Sequence, residues 1–534
     1  MLIADVIRTG SKVILLPRPR RFGKTINLSM LAYFFDRAEP DSARLFNGLA
    51  IREHEDVMAH QAGYPTIFIT FKDVKFDDYD SCQVAIGQLM AMLFSAHKEL
   101  ITGLKLEDIY ESMVRDILKG VAHTVTLQKS LGLLTELIHR ATGVKPMVLI
   151  DEYDAPIHAG YHHGYYSDII KFMRNLLSGA FKNNKHLEKG VLTGILRIAK
   201  ESIFSGFNNP RVRTILDEEF SRHFGFTEPE ISHILTYYDL EDRQGELRRW
   251  YNGYQFGSHT IYNPWSIMQY LTDAKLAGSR AEAYWVNTSD NRLIYDLVVG
   301  ENAIQQEELE ALLRGETVHK EIETNIVMEG MTSDTVWSLL TLSGYLKPRT
   351  LKMEGGRYLC DLAIPNLEVR SFYDKTIRDW LKHQTGANGL KPLLTALLAQ
   401  NMDALAKHFS DMVKGVLSFH DTAGNEPERV YHAFLLGLLV DLRGSYQVLS
   451  NRESGFGRYD IIMIPEDTDQ PGFVFEFKRI KQQTPEATAA LALQQIIERD
   501  YATDLREAGV QTIRAIGVAV DGKHTRISSA VLSD

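Results

Sequence analysis

A short apolar run, Val13 to Leu16, leads through Pro17-Arg18-Pro19-Arg20-Arg21-Phe22 into Gly23-Lys24-Thr25 and then into a helical pattern from Ile26 to Phe35. No other stretch limits the fold as much. A buried strand that turns into a helix through Gly-Lys-Thr aims the unpaired N–H groups of the helix start at the strand's carboxyl end, where they can hold phosphate. Lys24 is then placed to reach the outer phosphates of a nucleotide, and Thr25 to offer its hydroxyl to magnesium. The glycine that ordinarily opens such a loop is replaced by Arg18. Pro17 and Pro19 stiffen the entrance, and Arg18, Arg20 and Arg21 supply charge in place of flexible backbone amides. The same arginines also read as a solvated basic turn.

Strand and helix patterns alternate from there. "PTIFITF", Pro65 to Phe71, is rich in β-branched and aromatic residues, and "KPMVLI", Lys145 to Ile150, is a buried run ending at Asp151. "GVLTGI", Gly190 to Ile195, reads as a fourth strand and Phe220 to Phe224 as a fifth; Ser81 to Lys98 and Ser167 to Phe181 read as helices. The alternation predicts a parallel sheet covered on both faces. At the end of its strand, Asp151 can hold a magnesium shell, while Glu152 can polarise a water for attack on a γ-phosphate. Thr193 is either a polar sensor between that water and the phosphate or a satisfied strand-end threonine.

A chain of 534 residues is long for one core and predicts roughly three or four domains. Thr227-Glu228-Pro229-Glu230 reads as a capping box, so the first domain is expected to span 1–226. A helical lid and winged-helix-like region is expected over 227–382. It contains a hairpin at "WYNGYQFG", a turn into a helix at "IYNPWSIMQYL", a helix over Val336 to Leu342 and a hairpin about Gly355-Gly356. A helical linker is expected over 383–424, then a compact α/β domain over 425–534. The two cysteines, Cys82 and Cys360, offer neither a disulfide framework nor a zinc spacing, which suits the cytoplasm. No apolar run approaches membrane-spanning length. A formal net charge of −10 argues against a general nucleic-acid coat or a membrane-surface protein, though not against a local basic channel.

"RPRRFGKT", "VLIDEYDAP", "LTGILRIAKESIFSGFNN", "WYNGYQFG" and "YNPWSI" together resemble the AAA-ATPase-like family of bacterial proteins. In that family the arginine-rich form of the phosphate loop is the usual one. The resemblance implies ATP and Mg2+ as cofactors, with Lys24 and Thr25 for nucleotide and metal and Asp151 with Glu152 for metal and hydrolysis; Arg20, Arg21, Gly23 and Thr193 are the further candidates around the nucleotide on the reading of the residues. Arg197 and Lys200 fit the motif after the fourth strand, as phosphate sensors or as a surface pair. Family members carry a further "YVDKT"-like stretch ahead of the loop, whereas this chain begins close to its first strand, which leaves the adenine side of the pocket open.

The C-terminal part carries a second constellation. Glu426 to Leu442 reads as an amphipathic helix, and Tyr446 to Ser450, Arg458 to Ile464, Gly472 to Lys478 and Thr512 to Val520 as strands, with one long helix from Pro485 to Ala508. Along Phe473 to Lys478, Glu476 and Lys478 share one face while Phe475 and Phe477 take the other. A neighbouring strand beginning near Asp460 can bring Asp460 and Glu476 together around a hard divalent cation, with Lys478 orienting water or stabilising phosphate charge. The bland alternative is an amphipathic hairpin with a solvated Glu-Lys pair. Gln495 and Tyr501 can brace such a site or touch a DNA backbone, and Arg452, Arg458, Arg479 and Lys481 gather positive charge nearby.

"YHAFLLGLL", "NRESGFGRYDI", "FEFK" and "ALQQIIERDY" resemble the PD-(D/E)XK nuclease superfamily in the branch fused to AAA-ATPase-like domains. The resemblance puts the acidic pair and lysine on Asp460, Glu476 and Lys478, with Glu428 or Glu453 as a further acid, and implies Mg2+ or Mn2+. The reading is therefore an ATP-hydrolysing protein whose nucleotide state gates DNA access or cleavage by a metal-dependent nuclease domain. That architecture suggests defence against foreign DNA or mobile-element biology, with DNA as partner and an oligomer allowed. The rival reading is a nucleotide-switched binding protein whose nuclease-like domain does not cleave.

Overall fold

The computed structural model describes residues 1–198, 210–274, 280–285, 306–326, 328, 333–355, 357–385, 388, 390–418, 426–450, 453–454, 457–480, 483–521 and 524–532. The chain forms two compact units. The first is Met1–Asn291 with Val318–Val369, and the second is Arg292–Thr317 with Arg370–Asp534.

In the first unit, strands β1 (Val13–Pro17), β2 (Thr66–Thr70), β3 (Met147–Asp151), β4 (Lys189–Gly194) and β5 (Arg211–Val212) form an all-parallel sheet ordered β2-β3-β4-β1-β5. β1 and β3 are buried at every position, as strands covered on both faces must be. The helix Lys24–Phe35 starts at Gly23, whose φ of 77° lets the chain turn sharply off the loop. Because β4 lies between β1 and β3, the carboxyl ends that carry the Gly-Lys-Thr loop, Thr193 and Asp151 stand side by side. A long helix, Thr124–Thr142, packs Leu127, Leu131, Leu134 and Ile138 into the core.

Phe220 to Phe224 does not form the fifth strand. Phe220 adopts a left-handed φ of 65°, and its carbonyl accepts the Arg18 guanidinium at 3.1 Å. The aromatic run is spent on packing, and β5 takes the ladder position by pairing with Ile14 and Leu15. The Thr227 capping box is present, with the Glu230 carboxylate accepting the Thr227 backbone N–H at 2.8 Å. β6 (Tyr254–Phe256) and β7 (His259–Ile261) make the expected hairpin. Asn263 then caps the helix Pro264–Asp273 by accepting the Ser266 N–H at 3.1 Å. β8 (Val318–Ile322), the helix Ser333–Leu342, β9 (Lys347–Glu354) and β10 (Arg357–Ala363) follow, the strands pairing antiparallel in the order β8-β10-β9.

The second unit is built on β11 (Tyr446–Ser450), the short pair β12 (Glu453–Ser454) and β13 (Gly457–Arg458), then β14 (Ile461–Pro465), β15 (Gly472–Arg479), β16 (Ile513–Asp521) and β17 (His524–Leu532). The main sheet runs β11-β14-β15-β16-β17, with β15 and β16 parallel and the other pairs antiparallel. The helix Glu426–Asp441 covers one face through Phe434, whose ring centroid is 5.3 Å from that of Phe475. Phe409, from the helix Met402–Ser418, joins the same cluster.

The long helix expected from Pro485 to Ala508 is broken. It runs Pro485–Glu498, Asp500 turns left-handed at φ 50°, and helix resumes at Thr503–Glu507. On an unbroken helix Ile496 and Tyr501 would stand about 140° apart around the axis. The break lets both face one core with Tyr459 and Val474. Among the described residues, no helix is long and apolar enough to cross a membrane.

Candidate functional site

The N-terminal loop is held from below by arginine. Arg18 is fully buried; its guanidinium donates to the carbonyls of Pro17 at 2.8 Å and Arg213 at 2.7 Å and lies 4.9 Å over the Phe224 ring. Burial lowers its pKa to about 9, against the opposing charge of Asp217. The charge that stands in place of the glycine thus ties the loop to its own floor. Phe22 packs edge-on against Tyr254, and the Arg21 guanidinium sits 4.3 Å over the Trp265 ring. The separate motifs "WYNGYQFG" and "YNPWSI" are therefore the platform under the loop.

Lys24 is buried and donates to the carbonyls of Arg18 at 3.0 Å and Pro19 at 2.9 Å. Burial lowers its pKa to about 8, while the nearby charges of Glu152, Asp154 and Asp151 oppose that shift and Arg20 adds to it. The Thr25 hydroxyl donates to Asp151 Oδ2 at 2.6 Å, and the Thr193 hydroxyl donates to Asp151 Oδ1 at 2.7 Å. Asp151, fully buried, thus joins the loop, β3 and β4 at one point. Glu152 follows with a left-handed φ of 50° that turns it out of the strand direction. Arg197 lies beside Tyr153 and Asp217, and burial lowers its pKa; Lys200 falls outside the described residues.

Two residues of "DEYDAP" do work that their spacing alone does not reveal. Asp154 accepts the backbone N–H groups of Ile195 at 2.7 Å and Leu196 at 3.0 Å, and Tyr153 donates its hydroxyl to the Leu196 carbonyl at 2.7 Å. Together they fix the chain where it leaves β4, just past Thr193. Burial opposes ionisation of Asp154, but the His158 hydrogen bond and those two N–H groups hold its pKa below the usual range.

In the second unit Asp460 stands immediately before β14, and its Oδ2 accepts the Phe477 N–H at 2.6 Å. That bond draws Asp460 to Glu476. Glu476 is buried, and burial first, then the charge of Asp460, raises its pKa to about 8. Gln495 donates to Glu476 Oε1 at 2.5 Å and to the Tyr501 hydroxyl at 3.1 Å, while Lys478 donates to Gln495 Oε1 at 2.6 Å. Lys478 Nζ is itself 4.0 Å from Glu476. Gly517 makes this bracket fit. It pairs with Glu476 across the β15–β16 ladder, and a Cβ there would sit 2.4 Å from both Ala489 O and Leu493 N of the covering helix. That helix can therefore lie close enough for Gln495 to reach Glu476.

Glu476 Oε2 is buried with no hydrogen-bond partner among the described residues. A carboxylate oxygen in that state, beside a second carboxylate, suits a hard divalent cation. Among the described residues no three His, Cys, Asp or Glu side chains gather as ligands, so Asp460 and Glu476 are the side-chain donors on hand. The side chains of Glu428, Glu453, Arg452, Arg458 and Lys481 fall outside the described residues, and Arg479 is exposed.

Residues 1–204 match the family model described as predicted AAA-ATPase, and residues 426–530 match that of the PD-(D/E)XK nuclease superfamily. The chain joins an AAA-ATPase-like domain to a PD-(D/E)XK nuclease superfamily domain. The Lys24–Asp151 constellation lies in the ATPase-like match, and Asp460, Glu476, Lys478 and Gln495 lie in the nuclease match. A relative in Azotobacter chroococcum mcd 1, described as an uncharacterized protein in the vnfD 5' region, is 25% identical over 522 residues, covering 94% of this chain and 88% of that one.

Proposed function

We propose that the chain binds and hydrolyses ATP in its first unit and cleaves DNA with a divalent cation in its second. The observation that carries the second half is the buried Glu476, one of whose oxygens has no hydrogen-bond partner among the described residues, beside Asp460. The first half rests on Asp151, which receives hydroxyls from both the phosphate loop and β4.

In this reading Lys24 would neutralise the outer phosphates, with Arg20, Arg21 and the Gly23 turn around it, and Thr25 and Asp151 would hold Mg2+. Glu152 would take a proton from the attacking water, and Thr193, whose hydroxyl holds Asp151, would keep that carboxylate oriented. Asp460 and Glu476 would hold Mg2+ or Mn2+, which when bound polarises the scissile phosphate and lowers the pKa of water. Lys478, steered by Gln495, stabilises charge on the phosphate. Nucleotide state then gates DNA access or cutting.

Purified full-length protein with supercoiled, linear and single-stranded DNA, with and without ATP and Mg2+, tests both halves. Cleavage should require the metal and be lost in Asp460→Ala, and ATP turnover should be lost in Lys24→Ala. Cutting that survives both EDTA and Asp460→Ala refutes the nuclease assignment. A wild type that cuts no nucleic acid moves the reading to a nucleotide-switched binding protein.

A further inference from the structure

The helix Gln306–Arg314 lies outside both matched segments, yet it belongs to the second unit. Leu309, Leu312 and Leu313 bury its apolar face, and the Leu313 carbonyl accepts the Arg370 guanidinium. Its polar edge is buried as well. Glu310 is only 2% exposed, a degree of burial that glutamate reaches almost only when paired.

Arg314 lies 3.8 Å from Glu310. Its fork donates to both Glu316 oxygens at 3.1 and 3.2 Å, and its Nη1 donates to the Ser450 hydroxyl at 2.9 Å. Ser450 pairs with Ile461 in the β11–β14 ladder, next to Asp460. Tyr431 donates its hydroxyl to the Asp460 backbone carbonyl at 3.0 Å. Burial raises the Tyr431 phenol pKa, Glu310 and Asp460 add to that, and a Ser450 hydrogen bond opposes it, so all of these groups share one neighbourhood.

Asp460 is thus pinned twice, at its carboxylate by the Phe477 N–H and at its carbonyl by Tyr431. That tyrosine belongs to the helix Glu426–Asp441, against which the remote helix packs. We infer that the remote helix is a built-in part of the C-terminal site, with Glu310 and Arg314 as positioning residues that hold Asp460 through Ser450 and Tyr431. The inference rests on the reading that Asp460 and Glu476 take a divalent cation. Groups standing behind a metal ligand set its orientation, and their loss typically costs about 10–100-fold in metal affinity.

The test is Mn2+ binding to the full-length chain without nucleotide or DNA, read by electron paramagnetic resonance. The site is defined as the binding lost in Asp460→Ala. Tyr431→Phe keeps the ring against Phe477, at 5.3 Å, and removes only the hydroxyl. It should weaken Mn2+ affinity about tenfold with the melting temperature little changed. Arg314→Ala should weaken it as much, Arg314→Lys less, and the double variant no more than the worse single, because both act on one path. Wild-type affinity in Tyr431→Phe overturns the inference even if Arg314→Ala does not fold. A wild type with no Asp460-dependent site overturns the metal reading itself and this inference with it.

Discussion

Glu476→Gln should stabilise the metal-free protein while destroying the proposed C-terminal cation site. Glu476 is 6% exposed, and its pKa is raised to about 8 from an ordinary 4.5, by burial and then by Asp460. In the folded chain the carboxyl therefore keeps its proton to a higher pH than in the unfolded chain. Folding stability is fully present below pH 4.5 and is lost as pH rises through about 8. At about 1.4 kcal/mol per unit, the loss reaches roughly 3 kcal/mol at pH 7 and levels off near 5 kcal/mol above pH 8. Glutamine keeps the acceptor that Gln495 uses and cannot ionise, so it escapes the loss. Hydrogen exchange in EDTA, followed on peptides covering Gly472–Arg479 and Ile513–Asp521, reads the local opening free energy. The variant's advantage should widen from pH 5 to 8 and then stay flat. A pH-independent difference, or a glutamine variant weaker than wild type at pH 8, would refute the reasoning.

Lys24→Ala should lose ATP binding, whereas Glu152→Gln should bind ATP and turn it over at least about a hundredfold more slowly, as loss of a general base implies; equilibrium binding with a phosphate-release assay separates the two. Asp460→Ala should abolish metal-dependent cleavage and Lys478→Ala should slow it without weakening Mn2+ binding, both with ATP turnover intact, as plasmid nicking and the Mn2+ titration would report. Glu368 is fully buried and accepts the Ser266 hydroxyl at 2.9 Å and the N–H groups of Tyr284 at 2.8 Å and Trp285 at 2.7 Å. Glu368→Ala strands those donors at about 1–3 kcal/mol each, so the first unit should melt well below wild type in calorimetry. An unchanged melt would mean that water or rearrangement satisfies them.

What the sequence discloses here is what local pattern encodes. The strand into Gly23-Lys24-Thr25, the apolar run ending at Asp151 and the alternation at Phe475-Glu476-Phe477-Lys478 each carry their period within a few residues. The helix Thr124–Thr142 carries a helical period in Leu127, Leu131, Leu134 and Ile138, yet it is not among the helices expected from the sequence. Other features depend on partners distant in the chain. Phe220 to Phe224 has a strand's composition, but Arg18 needs the Phe220 carbonyl. Arg18 reads as a surface cation until β5 and the hairpin close over it. Gly517 looks like an interruption of a strand until a helix lies across it. The break at Asp500 follows from where Tyr501 must point. Nothing within Gln306–Arg314 hints at Ser450, more than a hundred residues further on.

The chain enters the second unit before Gln306, returns to the first at Val318, and leaves it again after Val369. A fragment cut at the family boundary, beginning at residue 426, would therefore lack the Gln306–Arg314 helix and expose the apolar surface that Leu309, Leu312 and Leu313 cover. Such a fragment should express poorly or aggregate, and its silence in an assay would describe the truncation rather than the intact protein. A protease nick anywhere between Val318 and Val369 would leave that helix bound to the rest of its unit by non-covalent contacts alone, so the halves should co-purify until denatured. Dissection of this protein is better done by point substitution in the intact chain, or by supplying the helix in trans as a peptide.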